Sequence, residues 1–370
     1  MNFFLFELKK TLFNKRFAYL LLVITLGILF LFGRNYYFQS YVEKEQEKKI
    51  VAEIQYGQSL IRQYQNSLSE NPDQANIEEL QRQIGSIVDV LFKLLPSIGS
   101  DDWENRLFLE IDYLQKLVNF QEAGGQFPLT SREIKERIVT NNHLLAKGIA
   151  PEHPVYSLAV PNFIKQAVDL FATIGAIILL LLAAGDLLTS EFENRTIHFL
   201  FVQPLKKTSI IHSKIWSSVL IYVIMTVVLI STAWLISTLF GSPGTFAYPI
   251  LIFDATGFAF LPMHQYIIAI FTLISSVSLL VIGFTMWWSL LVKHSIATLF
   301  GVLVILVVGY VMTSMIHLPA SVNPFQYVLP IKSLLNQTEH PWWSAIPVTV
   351  GAFVFFYILS LVWVRKVKLS

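Results

Sequence analysis

The chain of 370 residues contains no cysteine, and several motifs of enzymes are missing as well. Without cysteine there is no disulfide, no thiolate metal site and no cysteine nucleophile. No glycine is followed directly by lysine, which excludes a P-loop and with it a Walker-type ATP site. The eight histidines are scattered, and His198 and His212, which share one segment, have no third ligand nearby. We therefore predict no enzyme activity, no metal and no cofactor in this chain.

Charged residues are scarce too, at 14% of the chain, whereas 54% of the residues are hydrophobic. The mean hydropathy of +0.56 lies far outside the range of soluble proteins. A net charge of +2 is too small to indicate nucleic-acid binding. The composition predicts an integral membrane protein.

Six apolar runs are long enough to cross a hydrocarbon core of about 30 Å as α-helices. They lie at residues 17–33, 163–185, 215–240, 266–292, 295–316 and 344–364. The first run is also compatible with a secretory signal peptide, but it lacks a small-x-small cleavage site and its apolar core is longer than usual, which favours a retained anchor. The sequence thus predicts an all-α membrane protein with six transmembrane helices.

Basic residues are distributed unevenly between the two ends of these spans. Twelve of them fall on one side: Lys9, Lys10, Lys15, Arg16, Arg195, Lys206, Lys207, Lys214, Lys293, Arg365, Lys366 and Lys368. The two short loops on the other side, residues 241–265 and 317–343, contain only Lys332. By the positive-inside rule we expect both termini in the cytoplasm, together with the loop at residues 186–214 and the tail at residues 365–370.

Two short segments are expected to lie at the membrane surface. Residues 1–16 place Phe4, Leu8 and Leu12 at helical spacing beside basic residues, which predicts a cytoplasmic amphipathic helix on the inner leaflet. The external loop at residues 317–343 has four prolines between short apolar pieces. This pattern favours short helices that dip into the outer interface.

The region between the first two spans, residues 34–162, has the composition of a soluble helical domain. Apolar residues recur at three and four positions, and Thr130 with Glu133 has the spacing of a capping box that opens a helix ending at Gly148. We predict an extracellular helical domain. An intramolecular bundle and a coiled coil with another chain both fit its repeat, which spans about three heptads.

The segment at residues 190–214 is polar and lies between two spans. Ser190 and Glu193 have the spacing of a capping box, which predicts a helix from Glu191 onward. Pro204 removes a backbone donor and ends that helix within about four turns. The helix would carry an apolar stripe of Phe192, Phe199 and Leu200.

This segment resembles the cytoplasmic loop of bacterial ABC-2 type transporter permeases. The matching positions are Glu191, Asn194, Thr196, Phe199, Leu200, Pro204, Lys206 or Lys207, and Lys214. The usual pattern has glycine where this chain has Arg195, and Ser-Arg where it has Leu205 and Lys206. An ordinary amphipathic helix at the interface is the alternative interpretation of the segment.

The resemblance implies a permease subunit in the bacterial cytoplasmic membrane, coupled to a separate ATPase that binds the ATP and Mg. Two ATPase copies and a second, identical or similar permease would complete the transporter. In the implied coupling helix the contact residues would be Glu191, Phe192, Glu193, Asn194, Arg195, Thr196, Phe199, Leu200 and Pro204. The resemblance covers the membrane part and does not extend to the external domain.

The sequence leaves two hypotheses about function open. The resemblance implies export of an amphiphilic cargo, which could be a peptide, an antimicrobial compound or a lipid-like molecule. The alternative is a membrane sensor or scaffold whose external domain binds a ligand without transport. Asp169, inside the second span, either lies on a translocation path or pairs with Lys165 one turn earlier, since an isolated charge at that depth is costly.

Overall fold

The computed structural model describes residues 3–70, 75–202, 206–255, 257–315, 323–337 and 340–366. The helices in these residues are, in chain order, α1 (Phe3–Leu12), α2 (Lys15–Glu70), α3 (Ala75–Leu94), α4 (Trp103–Glu122), α5 (Ser131–Lys147), α6 (Val160–Phe171), α7 (Ile174–Ala184), α8 (Thr189–Glu193), α9 (Ile197–Val202), α10 (Lys207–Phe240), α11 (Met263–Val292), α12 (Ser295–Met315), α13 (Pro330–Leu335) and α14 (Ala345–Lys366). A two-stranded sheet is formed by β1 (Pro249–Asp254) and β2 (Gly257–Pro262).

The predicted all-α membrane fold with six spans is confirmed. Within the described part of the chain, six helical stretches are long and apolar enough to cross a membrane. They are Lys15–Glu70, Gly175–Glu193, Lys207–Phe240, Met263–Val292, Ser295–Thr313 and Trp342–Lys366. The chain divides into two compact units, a membrane unit of Met1–Phe32, Val160–Phe246 and Ile252–Ser370 and a helical unit of Gly33–Ala159 with Ala247–Leu251.

Two predicted spans differ in their boundaries from the helices that form. The first predicted span, residues 17–33, is only the beginning of α2, which continues to Glu70. No proline interrupts α2, and residues that favour helices continue beyond the apolar run, so nothing in the local sequence ends it. The second predicted span, residues 163–185, is interrupted between α6 and α7, where the Thr173 hydroxyl accepts a hydrogen bond from the Gly175 amide and caps α7.

In the membrane unit, α11 packs against α6, α10, α12 and α14. Its buried residues include Leu273, Val281 and Phe284. The sheet was not foreseen, since its strands lie in a loop without a clear strand pattern. The Gln337 amide donates to the Phe253 carbonyl at 2.6 Å, which joins β1 to the segment after α13.

The loop at residues 317–343 contains short helices where the structure describes it. A 3-10 helix spans Pro324–Val328, α13 follows directly, and a second 3-10 helix spans Trp342–Ser344. Tyr327, Val328 and Leu334 are buried, so these pieces pack into the membrane unit. The predicted short helices are therefore present, each with a proline in or just before its first turn.

The helical unit has its own apolar core. Side chains of α2, α3, α4 and α5 meet there, including Ile54, Ile84, Leu114 and Ile134. These four helices share one core within the chain, which is the intramolecular bundle of the two arrangements that fit the repeat. Tyr113 donates to Glu53 at 3.1 Å, and burial together with that carboxylate raises the pKa of Tyr113.

Both ends of α5 form as predicted. The Thr130 and Glu133 side chains satisfy each other's backbone amides in a capping box. Gly148 ends the helix in the left-handed region at a φ of 62°. These two features depend on neighbours within a few residues, which is why the sequence alone predicts them.

Candidate functional site

The motif segment, residues 190–214, begins with two short helices rather than one. α8 ends at Glu193, and α9 begins after a break of three residues. The predicted capping box of Ser190 and Glu193 is wrong, because Leu188 is the N-cap residue of α8 and no side chain caps that end. Pro204, which was expected to end the helix, lies outside the described residues.

Arg195 makes the break between α8 and α9. Its backbone φ of 56° lies in the left-handed region, which costs a residue with a Cβ atom roughly 1–2 kcal/mol. The Asn194 side chain donates to the Ser190 carbonyl at 2.8 Å and closes the end of α8. The glycine that similar loops carry at position 195 thus has a physical reason, since glycine adopts this conformation without strain.

Substitutions at Arg195 test this conformation. We expect Arg195→Gly to keep or slightly raise the unfolding midpoint. We expect Arg195→Val to lower the free energy of unfolding by about 1–2 kcal/mol and thereby the midpoint, because a β-branched residue tolerates a positive φ poorly. Arg62, exposed within α2, is the matched control, where glycine should be worse than valine. Thermal unfolding of the detergent-purified permease measures both series. Glycine worse than valine at both positions would contradict the left-handed assignment.

Four charged side chains, Glu7, Lys10, Glu191 and Lys214, meet in what we call the ion cluster. Lys214 of α10 is fully buried, and its Nζ lies 3.2 Å from Glu7 Oε2 and 3.6 Å from Glu191 Oε1. It also donates to the Leu187 carbonyl at 2.6 Å, so each of its three N–H groups has an acceptor nearby. Lys10 Nζ donates to Glu191 Oε1 at 2.6 Å. Two cations neutralise two carboxylates, as burial of charge requires.

The charge of Lys10 is stabilised by this arrangement. Burial lowers the pKa of Lys10, but the hydrogen bond to Glu191 and the nearby carboxylates of Glu191, Glu7 and Asp186 outweigh that effect and raise it. Lys10 therefore stays protonated at neutral pH. A separate ion pair joins Arg16 to Asp186 at 3.1 Å beside the ion cluster.

The ion cluster assigns Glu191 to the interior of the permease. Its residue is 5% exposed, and its second oxygen accepts a hydrogen bond from the Thr196 hydroxyl. Within the permease this side chain is bound by Lys10, Lys214 and Thr196, and its contact with an ATPase stays a prediction. A lysine at 191 would be a third cation beside Lys10 and Lys214, so we expect Glu191→Lys to destabilise the folded permease.

The same cluster explains the unusual orientation of α1. Its buried residues are Glu7 and Thr11, whereas its exposed apolar side chains are Leu5, Phe6 and Leu12, followed by the exposed Phe13 just after the helix. Of the predicted apolar stripe, only Leu12 is exposed. α1 thus places Glu7 against Lys214 of α10 and leaves several apolar side chains exposed.

A second set of contacts, the α8–α12 clamp, is formed by Thr189, Glu193 and Ser295. Glu193 accepts hydrogen bonds from the Ser295 amide at 2.7 Å and from the Ser295 hydroxyl at 2.8 Å. The Thr189 and Ser295 hydroxyls lie 2.9 Å apart. The carboxylate predicted to cap its own helix therefore caps α12 instead, where a negative charge is favoured by the helix dipole.

The remaining motif residues differ in exposure. Phe199 and Val202 of α9 are 76% and 79% exposed, so both side chains lie on the surface of the permease. Asn194 and Arg195 are exposed, whereas Phe192, Thr196 and Leu200 are half-buried. Lys293 Nζ lies 5.7 Å from the centre of the Phe192 ring, a cation–π contact.

Asp169 is paired rather than free. Lys165 Nζ donates to its Oδ2 and the Tyr266 hydroxyl donates to its Oδ1, each at 2.7 Å. Of the two interpretations left open by the sequence, the pairing with Lys165 is the one that the structure contains. The bonds also link α6 to α11, close to the break before α7.

Several residues of the site were not singled out from the sequence. Glu7 was not named, Lys293 was named only in the count of basic residues, and Lys214 only in that count and in the loop motif. A lone acid in a short, otherwise basic and apolar helix is a signal that could have identified Glu7. Ser295 carries no such signal, because its partner Glu193 lies 102 residues away. Among the described residues no group of His, Cys, Asp or Glu is placed to hold a metal.

Comparison with known proteins identifies the family of the chain. The family model for ABC-2 family transporter protein matches residues 1–362. No curated protein and no solved structure matches the chain. The family match covers the helical unit as well, beyond the membrane part to which the loop resemblance was limited. The chain therefore belongs to the ABC-2 family of transporter proteins and is a membrane permease of an ABC transporter.

Proposed function

We propose that this permease exports an amphiphilic cargo and is driven by a separate ATPase that docks on α8 and α9. The observation that carries the proposal is the exposed apolar surface of Phe199 and Val202. It lies in the segment that resembles the coupling loop, and an apolar surface of this kind favours a protein contact. ATP and Mg would be bound by the ATPase alone.

The contacts around α8 indicate how movement of the loop would reach the spans. α8 and α9 are joined by three residues, so a force on α9 is transmitted directly to α8. From α8, the ion cluster reaches α1 and α10, and the α8–α12 clamp reaches α12. We propose that nucleotide-driven closure of two ATPases moves these helices, with a second, identical or similar permease completing the path.

We further propose that α8 and α9 face the cytoplasm. Basic residues concentrate around these helices, since Lys10, Arg16 and Lys293 all contact acids or an aromatic ring of residues 186–192. Such a concentration agrees with the positive-inside rule. Both termini would then be cytoplasmic as well.

Single cysteines test this orientation in a chain that has none of its own. We expect a membrane-impermeant maleimide to label Glu78→Cys in intact cells and Asn194→Cys only after permeabilisation. Both positions are exposed, so access is decided by the side of the membrane. Labelling of Asn194→Cys from outside would reverse the orientation and remove the basis for ATPase docking.

The proposed cargo is amphiphilic, and it could be a peptide, an antimicrobial compound or a lipid-like molecule. The ion pair of Asp169 supports this class. Lys165 neutralises the Asp169 carboxylate, so this residue does not offer an unpaired negative charge to which a strongly cationic cargo would bind. We propose that Asp169 fixes α6 to α11 rather than binding cargo.

Affinity purification of the permease tests the coupling. We expect an ATPase subunit with a P-loop to co-purify with the permease in equal amounts, and its ATP hydrolysis to respond to amphiphilic peptides. A permease recovered alone, with ligand binding located in the helical unit, would favour the sensor or scaffold instead.

A further inference from the structure

The start of α12 lacks a good cap of its own. The residue before it is His294, whereas Ser, Thr, Asp and Asn are the side chains that normally satisfy the first amides of a helix. Glu193 supplies this function from α8, with both carboxylate oxygens bound to Ser295. The first turn of α12 therefore depends on where α8 lies.

α8 contacts the whole turn that precedes α12. Thr189 and Glu193 bond to Ser295, and Phe192 lies under Lys293. Lys293 ends α11 with a φ of 57°, so α11 and α12 are separated by a sharp two-residue turn. Movement of α8 would act on this turn and hence on the beginning of α12.

The other end of α12 contacts the 3-10 helix at Pro324–Val328. A Cβ atom added at Gly309 would lie 2.6 Å from the Phe325 ring, so the ring rests directly on the α12 backbone. Ser295 and Gly309 are separated by about 21 Å along a straight helix. The 3-10 helix is itself anchored by buried Tyr327 and Val328.

Between these contacts one face of α12 packs on α11, where a Cβ atom added at Gly301 would lie 2.7 Å from the Trp288 ring nitrogen. Most of the remaining surface of α12 is not covered by the chain, since 17% of its apolar window is buried, against 67% for α11. A helix with only one packed face can slide as a rod when one end is displaced, because its internal hydrogen bonds resist compression.

We propose that Glu193 is a positioning residue for transport, which makes α12 a rigid connection from α8 to the 3-10 helix Pro324–Val328. The proposal rests on the proposed function in one respect, namely that the ATPase moves α8. Glu193 would not bind the ATPase or the cargo. Its role would be to hold the start of α12 on α8 while α8 moves.

The link within the permease can be tested without an ATPase. Hydrogen exchange of the full-length permease in detergent should be compared for the wild type, Glu193→Ala and Glu104→Ala. Glu104 is the matched control, being an exposed acid in the first turn of α4, in the helical unit. In Glu193→Ala we expect exchange to accelerate on the order of tenfold at residues 295–298 and also at residues 324–328, with no change in the helical unit. Acceleration confined to residues 295–298, or none, would overturn the proposal.

A second measurement separates positioning from docking and from folding. In complexes with the co-purified ATPase, a single cysteine at Gln326 reports ATP-dependent change through its rate of maleimide labelling. We expect Glu193→Ala to abolish the response to ATP and Mg while ATPase recovery, ATP hydrolysis and the unfolding midpoint stay close to those of Glu104→Ala. Glu193→Gln, which keeps one acceptor for the Ser295 amide, should retain part of the response.

Failure of this proposal is distinguishable from failure of the proposed function. If Glu193→Ala lost the ATPase itself, Glu193 would be a docking residue and the positioning role would be refuted. If Glu193→Ala gave the full response at position 326, the connection through α12 would be refuted while ATPase coupling stood. If no ATPase bound the wild type, the proposed function would fail, and the hydrogen-exchange result would still decide the link from α8 to residues 324–328.

Discussion

Replacing Lys214 by methionine is expected to prevent recovery of folded permease. Methionine fills a similar volume but leaves Glu7 and Glu191 buried with one cation between them, and it leaves the Leu187 carbonyl without its donor. Removing one partner from a buried ionic group costs about 3–5 kcal/mol, which is a large part of the stability of a typical domain. Size-exclusion chromatography of fluorescently tagged permease and its thermal unfolding measure the loss.

A double variant controls for the loss of the lysine side chain itself. Lys214→Met with Glu7→Leu removes one cation and one anion, and Lys10 still pairs with Glu191. We expect this variant to recover part of the folded yield, because no carboxylate is then left without a cation. Lys9→Met, at an exposed position on α1, should resemble the wild type. A normal yield of Lys214→Met alone would show that the ion cluster contributes little to stability.

Replacing Phe199 by aspartate is expected to abolish ATPase binding without affecting the fold. The side chain is 76% exposed in the permease, so a charge there meets water while the subunit is alone. In a complex the same carboxylate would be buried against an apolar surface, which is costly without a partner. Loss of a central interface residue costs about 2–4 kcal/mol, or roughly 30- to 1000-fold in affinity.

The measurement is the amount of ATPase recovered per permease, together with export in cells. Phe108→Asp is the matched control, since Phe108 is a 61% exposed phenylalanine in the helical unit. We expect the control to keep the ATPase and Phe199→Asp to lose it, with equal permease yields. Full recovery and full export with Phe199→Asp would make α9 a passive segment at the interface, and the sensor hypothesis would become the better one.

The amino-acid sequence by itself determined the features that depend on composition or on near neighbours. Apolar runs of sufficient length predict the six spans, because crossing a hydrocarbon core requires about 20 apolar residues wherever they occur. The capping box of Thr130 and the left-handed Gly148 each involve residues within one or two turns. The resemblance of the loop around Glu191 led to the family that the match over residues 1–362 shows.

Only the tertiary structure decided what the charged residues of that loop do. Glu191 and Glu193 were both interpreted as belonging to one capped helix that contacts a partner. Their oxygens instead bind Lys10, which lies 181 residues away, and Ser295, which lies 102 residues away. A carboxylate accepts hydrogen bonds from any donor that the fold brings within about 3 Å, so local spacing does not fix its partner. Helix packing placed α1 and α12 beside α8, and that packing gave both carboxylates partners inside the permease.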